Sequence, residues 1–118
     1  MTYPQDRETA NDYQEYVVKY SKGYDIYGTP KALPVYSLGL AGETGEVCEL
    51  LKRHFRGDDI PAPAFREKLK LELGDVIAYV ALIAHTFDLR LDDILQANIH
   101  KAAKREAAKT QLGSGSDR

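Results

Sequence analysis

The chain has 118 residues, 43% hydrophobic and 29% charged, which is the balance of one globular domain. Its net charge of -2 gives no electrostatic reason to bind nucleic acid or a membrane, and its longest apolar run, residues 76–84, is too short to cross a bilayer. The single cysteine, Cys48, excludes an internal disulfide, and we expect it to be a small buried hydrophobe. The N-terminus lacks the pattern of a signal peptide, so we expect a cytoplasmic protein.

The first half of the chain predicts two helices. One runs from about Asn11 to Lys22, because apolar and tyrosine side chains recur at helical spacing, and we expect Tyr13, Tyr16 and Tyr20 to pack in the core. Residues 24–33 form a loop, and the second helix runs from near Pro34 to Gly57. This helix contains three glycines, which indicate close approach of another backbone or of a ligand, or else a break in the helix: Gly39, Gly42 and Gly45.

The second half predicts two more helices after a linker at residues 58–63. The third runs from about Ala64 to Phe87, and its apolar residues point in almost every direction, which predicts burial on all sides. In so short a chain, such burial requires a partner subunit. The fourth helix runs from about Leu91 to Ala108, and Asp88 is the candidate for its N-cap.

The predicted fold is therefore all-α, a single four-helix bundle-like domain. The domain spans residues 11–108, between a flexible N-terminus at 1–10 and a flexible tail at 109–118. A core this small favours completion by oligomerisation, as a homodimer or a homotetramer.

Two pairs of acidic residues are the strongest chemical signal. Glu43 and Glu46 lie three residues apart on the second helix, and Glu72 and Asp75 lie three apart on the third, so each pair shares one helix face. Glu43 and Asp75 fall within the apolar stripes of their helices, and Glu46 falls at the edge of its stripe. If the two helices pack side by side, all four carboxylates converge.

Converging carboxylates repel one another unless a cation lies between them, and oxygen ligands favour Mg²⁺, with Mn²⁺ as a substitute. One isolated acidic pair usually marks a solvated helix face, but two pairs on core-facing stripes favour the metal site. A di-iron helical bundle requires a Glu-x-x-His spacing, which neither pair has.

The segments LGLAGETGEVCELLKR (38–53) and KLELGDVIAYVALIAHTFDLRLDDILQANIHKAAKR (70–105) resemble the MazG-type, all-α nucleoside triphosphate pyrophosphohydrolases. The resemblance covers roughly residues 11–105 and implies four metal ligands: Glu43, Glu46, Glu72 and Asp75. It also implies hydrolysis of a triphosphate to the nucleoside monophosphate and pyrophosphate, with Glu43 or Glu46 as the catalytic base. Several relatives carry a glutamate where this chain has Gly42, so any metal contact made by that residue is absent here.

Substrate contacts are predicted on the fourth helix and near the first loop. Asn98, Lys101 and Arg105 form one stripe, and the resemblance marks the first two as similar to phosphate-contacting positions. A solvated basic face is the alternative. Three tyrosines near the loop could stack on a base, although core packing is also open: Tyr24, Tyr27 and Tyr36. Tyr79, one turn after Asp75, could either reach the site or simply pack.

The predicted function is Mg²⁺-dependent cleavage of a ribo- or deoxyribonucleoside triphosphate, for cleaning or balancing the nucleotide pool. Two alternatives remain open. One is a hydrolase of alarmone-type or non-nucleotide pyrophosphates. The other is a non-catalytic helical module that binds nucleotide for regulation. We expect neither a nucleic acid nor a membrane as a partner.

Overall fold

The computed structural model describes the backbone of residues 9–112 and the side chains of residues 9–109. Four helices and no strand occur in this part of the chain, which confirms the predicted all-α fold. The helices are α1 (Ala10–Ser21), α2 (Ala32–Arg56), α3 (Ala62–Thr86) and α4 (Leu91–Leu112). No helix among the described residues is long and apolar enough to span a membrane.

Local sequence signals set two of the helix ends. α1 begins at Ala10 because Thr9 and Asp12 form a capping box, in which each side chain accepts a hydrogen bond from the other residue's backbone N–H, at 3.1 Å and 3.0 Å. α2 ends just before Gly57, as predicted. Gly57 has a φ of 90°, and its N–H donates to the carbonyls of Arg53 and His54.

Other helix ends differ from the predicted ones. α2 begins at Ala32, two residues before the expected Pro34, and α3 begins at Ala62, inside the expected linker, with Pro63 in its first turn. α4 continues to Leu112, four residues beyond the predicted end at Ala108. Of the predicted flexible segments, residues 1–8 and 113–118 lie outside the described residues.

Helices α2 and α3 pack along each other as a hairpin, and α1 lies against α3 and the start of α4. The three glycines of α2 do not break it. Seven buried residues form the core, and they come from every helix: Val17, Val18, Ala32, Tyr36, Ala81, Leu82 and Leu91.

The single chain alone does not bury α3 on all sides, so the predicted burial still requires a partner subunit. Leu73 and Ile77 lie four residues apart on α3 and are exposed, as are Leu95 and Ile99 on α4. No large side chain among the described residues is fully buried. Cys48 is exposed as well, which contradicts its expected burial.

Gln14 joins α1 to the turn between α3 and α4. Its amide nitrogen donates to the carbonyls of Ala81 and Leu89, at 3.1 Å and 3.0 Å, and its amide oxygen accepts from the N–H of Leu91 at 3.0 Å. The side chain is 7% exposed, so these backbone groups have little access to water. The hydrogen bonds therefore fix α1 against the helix that carries Glu72 and Asp75.

Replacing Gln14 with Leu should destabilise the fold by about 1–3 kcal/mol, because it leaves the buried N–H of Leu91 without a partner and removes the hydrogen bonds to the carbonyls of Ala81 and Leu89. Urea unfolding followed by circular dichroism measures this change. The matched control is Glu15→Gln, since Glu15 is exposed on the same helix. Equal unfolding midpoints for the two variants would contradict the bracing role of Gln14.

Candidate metal centre and adjoining cleft

Three of the predicted acids meet between α2 and α3. Glu43, Glu72 and Asp75 each present a carboxylate oxygen, and these oxygens all lie within 4.8 Å of one another. Glu43 and Glu72 are half-buried and Asp75 is exposed. The i and i+3 spacing on α3 and the close packing of the hairpin produce this convergence.

The electrostatics of the cluster favour a bound cation. Partial burial raises the pKa of the Glu43 carboxyl, and the negative charges of Asp75, Glu72 and Glu46 raise it further. Glu43 also forms a side-chain hydrogen bond with Glu72, which raises the same pKa. Since each acid makes the ionised form of Glu43 less favourable, a divalent cation between them would relieve the repulsion.

The donor set and its size fit a hard divalent cation. Mg²⁺ prefers oxygen ligands at about 2.1 Å, so two oxygens on opposite sides of the ion lie about 4.2 Å apart. The oxygens of the three acids lie within 4.8 Å of one another, which is close to this largest spacing. The cluster contains no histidine or cysteine, the ligands that zinc prefers.

Glu46 does not join the other three acids. Its side chain is exposed, one turn beyond Glu43 on α2, so the expected convergence of four carboxylates is limited to three in this structure. Its charge still acts on Glu43. The sequence predicts that Glu46 lies at the edge of the apolar stripe of α2. In the structure, this edge of the stripe faces solvent.

A cleft of about 450 Å³ opens beside the acidic cluster. Glu43 and Asp75 lie at one side of it, and the remainder is mostly apolar and aromatic. The described residues that line it come from α1, the loop after it, α2 and α3: Val17, Tyr20, Ser21, Tyr24, Ile26, Val35, Tyr36, Glu43, Asp75, Ala78, Tyr79 and Leu82. A polar cluster next to an aromatic cleft suits a ligand with a charged end and a flat, apolar end.

Two of the three tyrosines predicted for a base pocket line the cleft, and the third does not. Tyr24 and Tyr36 line the cleft, but Tyr27 does not. Tyr27 lies on the side facing the end of α3, where its hydroxyl is 3.1 Å from Nε2 of His85. Tyr20, expected in the core, is 54% exposed and lines the cleft, with its hydroxyl 3.0 Å from that of Tyr24. In the sequence, the one signal of this contact is that the two tyrosines lie four residues apart.

Gly39 is the glycine of α2 that a neighbour approaches closely. A Cβ at this position would lie within 3.0 Å of three ring carbons of Tyr79. The ring of Tyr79 therefore rests directly on the backbone of α2, and Tyr79 lines the cleft. A Cβ at Gly42 or Gly45 would meet nothing within 4 Å, so close approach is specific to Gly39.

The predicted phosphate-binding stripe lies apart from the acids within this chain. Asn98 and Lys101 are exposed and Arg105 is half-buried, and none of them lines the cleft. α4 packs mainly on α1, so the chain's own fold does not bring this stripe onto the α2–α3 hairpin.

Comparison with known proteins agrees with this geometry. The model of the MazG nucleotide pyrophosphohydrolase domain family matches residues 34–108, which include all three clustered acids. The chain belongs to the MazG family. It is also 35% identical over 89 residues to the Gene 37 protein of Mycobacterium phage L5, covering 75% of this chain and 78% of that protein. No solved structure matches. Family membership makes this domain a nucleotide pyrophosphohydrolase at the level of the family.

Replacing Gly39 with Ala should displace the ring of Tyr79 and weaken nucleotide binding, because the new Cβ occupies the space of that ring. Isothermal titration with a non-hydrolysable triphosphate measures the affinity. The control is Gly45→Ala, which removes a helix glycine without meeting a neighbour and should stabilise α2 by up to about 1 kcal/mol. Unchanged affinity in Gly39→Ala would show that the position of Tyr79 does not shape the ligand site.

Proposed function

We propose that this protein hydrolyses a ribo- or deoxyribonucleoside triphosphate to the nucleoside monophosphate and pyrophosphate, with Mg²⁺ as its metal and Mn²⁺ as a substitute. The observation that carries the proposal is the cluster of Glu43, Glu72 and Asp75 at the side of an aromatic cleft. The cluster suits a metal–triphosphate complex, and the cleft suits the nucleoside. Membership in the MazG family supports the reaction class.

The clustered acids would hold the metal through their carboxylate oxygens. When bound, Mg²⁺ supplies charge neutralisation of the phosphates and lowers the pKa of a coordinated water. The protein's part is to orient the phosphate chain in the cleft and to exclude bulk water from its apolar side.

Glu46 is free to take a role that the other three acids do not. It lies beside the cluster, exposed on the same helix as Glu43, and a change of rotamer would bring it toward the metal. We assign it to completing the ligand set or to accepting the proton of the attacking water, a role for which Glu43 is the other candidate.

The remaining substrate contacts follow from charge and shape. We propose that Tyr24 contacts the base from the wall of the cleft, and that Tyr36, which is mostly buried in the core, contacts it only through the part that lines the cleft. Asn98, Lys101 and Arg105 remain our candidates for phosphate contacts. Because α4 packs mainly on α1 in its own chain, the stripe needs either a movement of α4 or a second subunit to meet the phosphates.

We propose that the protein functions as a homodimer or a dimer-based tetramer. Leu73 and Ile77 on α3, and Leu95 and Ile99 on α4, are exposed apolar pairs at helical spacing. A second copy covers such a face with its own equivalent, since a two-fold interface uses the same patch twice.

The double variant Leu73→Glu/Ile77→Glu should shift the protein to monomers, because two carboxylates on the proposed contact face would repel their symmetric copies. Sedimentation velocity measures the change in mass. Leu38→Glu is the control, because Leu38 is 74% exposed and lies on α2, a helix that contributes no residue to the proposed contact face. If the wild-type protein is itself a monomer, the proposed homodimer or tetramer is wrong.

The proposed cellular role is to clean or balance the nucleotide pool in the cytoplasm, a reducing compartment that suits a single exposed cysteine. The alternatives are an alarmone-type or non-nucleotide pyrophosphate as substrate, and regulatory binding of nucleotide without turnover. The clustered acids favour catalysis, since a binding module has no need of acids that raise one another's pKa.

The proposal is tested by incubating the protein with a panel of ribo- and deoxyribonucleoside triphosphates, with and without Mg²⁺. We expect at least one triphosphate to yield equal amounts of monophosphate and pyrophosphate, and none to be cleaved without metal. Release of inorganic phosphate and a diphosphate would contradict the site of cleavage. Tight binding without cleavage would support the regulatory alternative instead.

Replacing Glu43 with Gln should abolish turnover and also abolish stabilisation by Mg²⁺, because the variant lacks a metal ligand. The same change at Glu46 separates its two candidate roles. If Glu46 accepts the proton, turnover falls while stabilisation by Mg²⁺ is preserved, and if it completes the ligand set, both fall. Thermal melting and pyrophosphate release measure the two effects. Glu49→Gln is the control, because Glu49 pairs with Lys52 on the exposed side of α2.

A further inference from the structure

The loop between α1 and α2 forms one wall of the cleft. Tyr24 and Ile26 belong to this loop, and both line the cleft beside the acids. The loop's backbone hydrogen bonds are local, since the N–H groups of Tyr24, Tyr27 and Thr29 each donate to the carbonyl three residues earlier. These bonds shape the loop, but they do not attach it to the α2–α3 hairpin.

One side-chain bond makes that attachment among the described residues. The hydroxyl of Tyr27 lies 3.1 Å from Nε2 of His85, near the end of α3, and the two rings stack with centroids 6.2 Å apart. The ammonium of Lys22 lies 5.8 Å from the centroid of the Tyr27 ring. Tyr27 is thereby held on the side of the loop that does not face the cleft, while Tyr24 and Ile26 lie on the other.

His85 connects this contact to the catalytic helix. It lies ten residues after Asp75 on α3, a distance of about 15 Å along one uninterrupted helix. A bond from the loop to His85 therefore fixes the wall of the cleft relative to Glu72 and Asp75. Gly28 has a φ of 73°, so the chain turns sharply immediately after Tyr27, the residue that makes this bond.

We propose that Tyr27 and His85 are positioning residues that hold Tyr24 and Ile26 against the nucleoside. The inference rests on the proposed function, since it takes the cleft as the nucleoside site. It assigns to Tyr27 a supporting role in place of direct contact with the base. The loop wall affects how tightly the nucleoside is held, whereas the acids that act on the phosphates lie on α2 and α3. Loss of the bond should therefore act on KM and leave kcat unchanged.

The test compares Tyr27→Phe, His85→Ala and the double variant with the wild-type protein. Each single variant should raise KM roughly threefold to tenfold, the range for losing one ordinary hydrogen bond, with kcat unchanged. The double variant should be no worse than the single ones, because both remove the same bond. His85→Gln, which keeps a polar nitrogen or oxygen near the position of Nε2, should restore part of the affinity.

The control is Thr86→Val, because the Thr86 hydroxyl bonds only to the carbonyl of Leu82 in its own helix. A fall in kcat with unchanged KM, or additive effects in the double variant, would overturn the proposal. Hydrogen exchange of residues 22–31 is measured in parallel and should rise in both single variants. If the wild-type protein cleaves no triphosphate, the proposed function fails, and unchanged loop exchange in the variants would overturn the contact separately.

Discussion

The repulsion between carboxylates at the α2–α3 interface is the constraint on which the rest of the structure depends. Packing of the hairpin brings Glu43, Glu72 and Asp75 together, and partial burial with these neighbours raises the pKa of Glu43. A carboxyl with a raised pKa stabilises the fold less as pH rises from its ordinary value through the raised one. At neutral pH, repulsion among the clustered carboxylates therefore lowers the stability of the metal-free protein, and a bound cation removes this repulsion.

The remaining structure holds the acids and builds a cleft against them. The side chain of Gln14 fixes α1 to α3, so the wall contributed by Val17 and Tyr20 keeps its place beside the metal centre. Gly39 lets the ring of Tyr79 lie on the backbone of α2. The clustered acids thus depend on contacts that carry no charge.

The features that were predicted from the sequence are those that depend on helical periodicity. The helices and the meeting of Glu43 with Glu72 and Asp75 follow from the helical spacing of residues, and the structure shows both, although Asp75 is exposed and not buried as its place on a core-facing stripe predicted. Periodicity does not determine how far an edge position such as Glu46 turns toward solvent. It also gives the bounds of α4 poorly, since helix-forming residues continue beyond Ala108 without a stop signal. The contact between Tyr27 and His85 joins residues 58 positions apart, and no local pattern indicates it.

The central claim is tested most directly by diffraction from crystals grown with Mn²⁺ and a non-hydrolysable triphosphate, using the anomalous signal of the metal. The account predicts a peak about 2.2 Å from carboxylate oxygens of Glu43, Glu72 and Asp75, with phosphate oxygens completing the coordination. A triphosphate bound in the cleft with no metal signal among these three acids would contradict it.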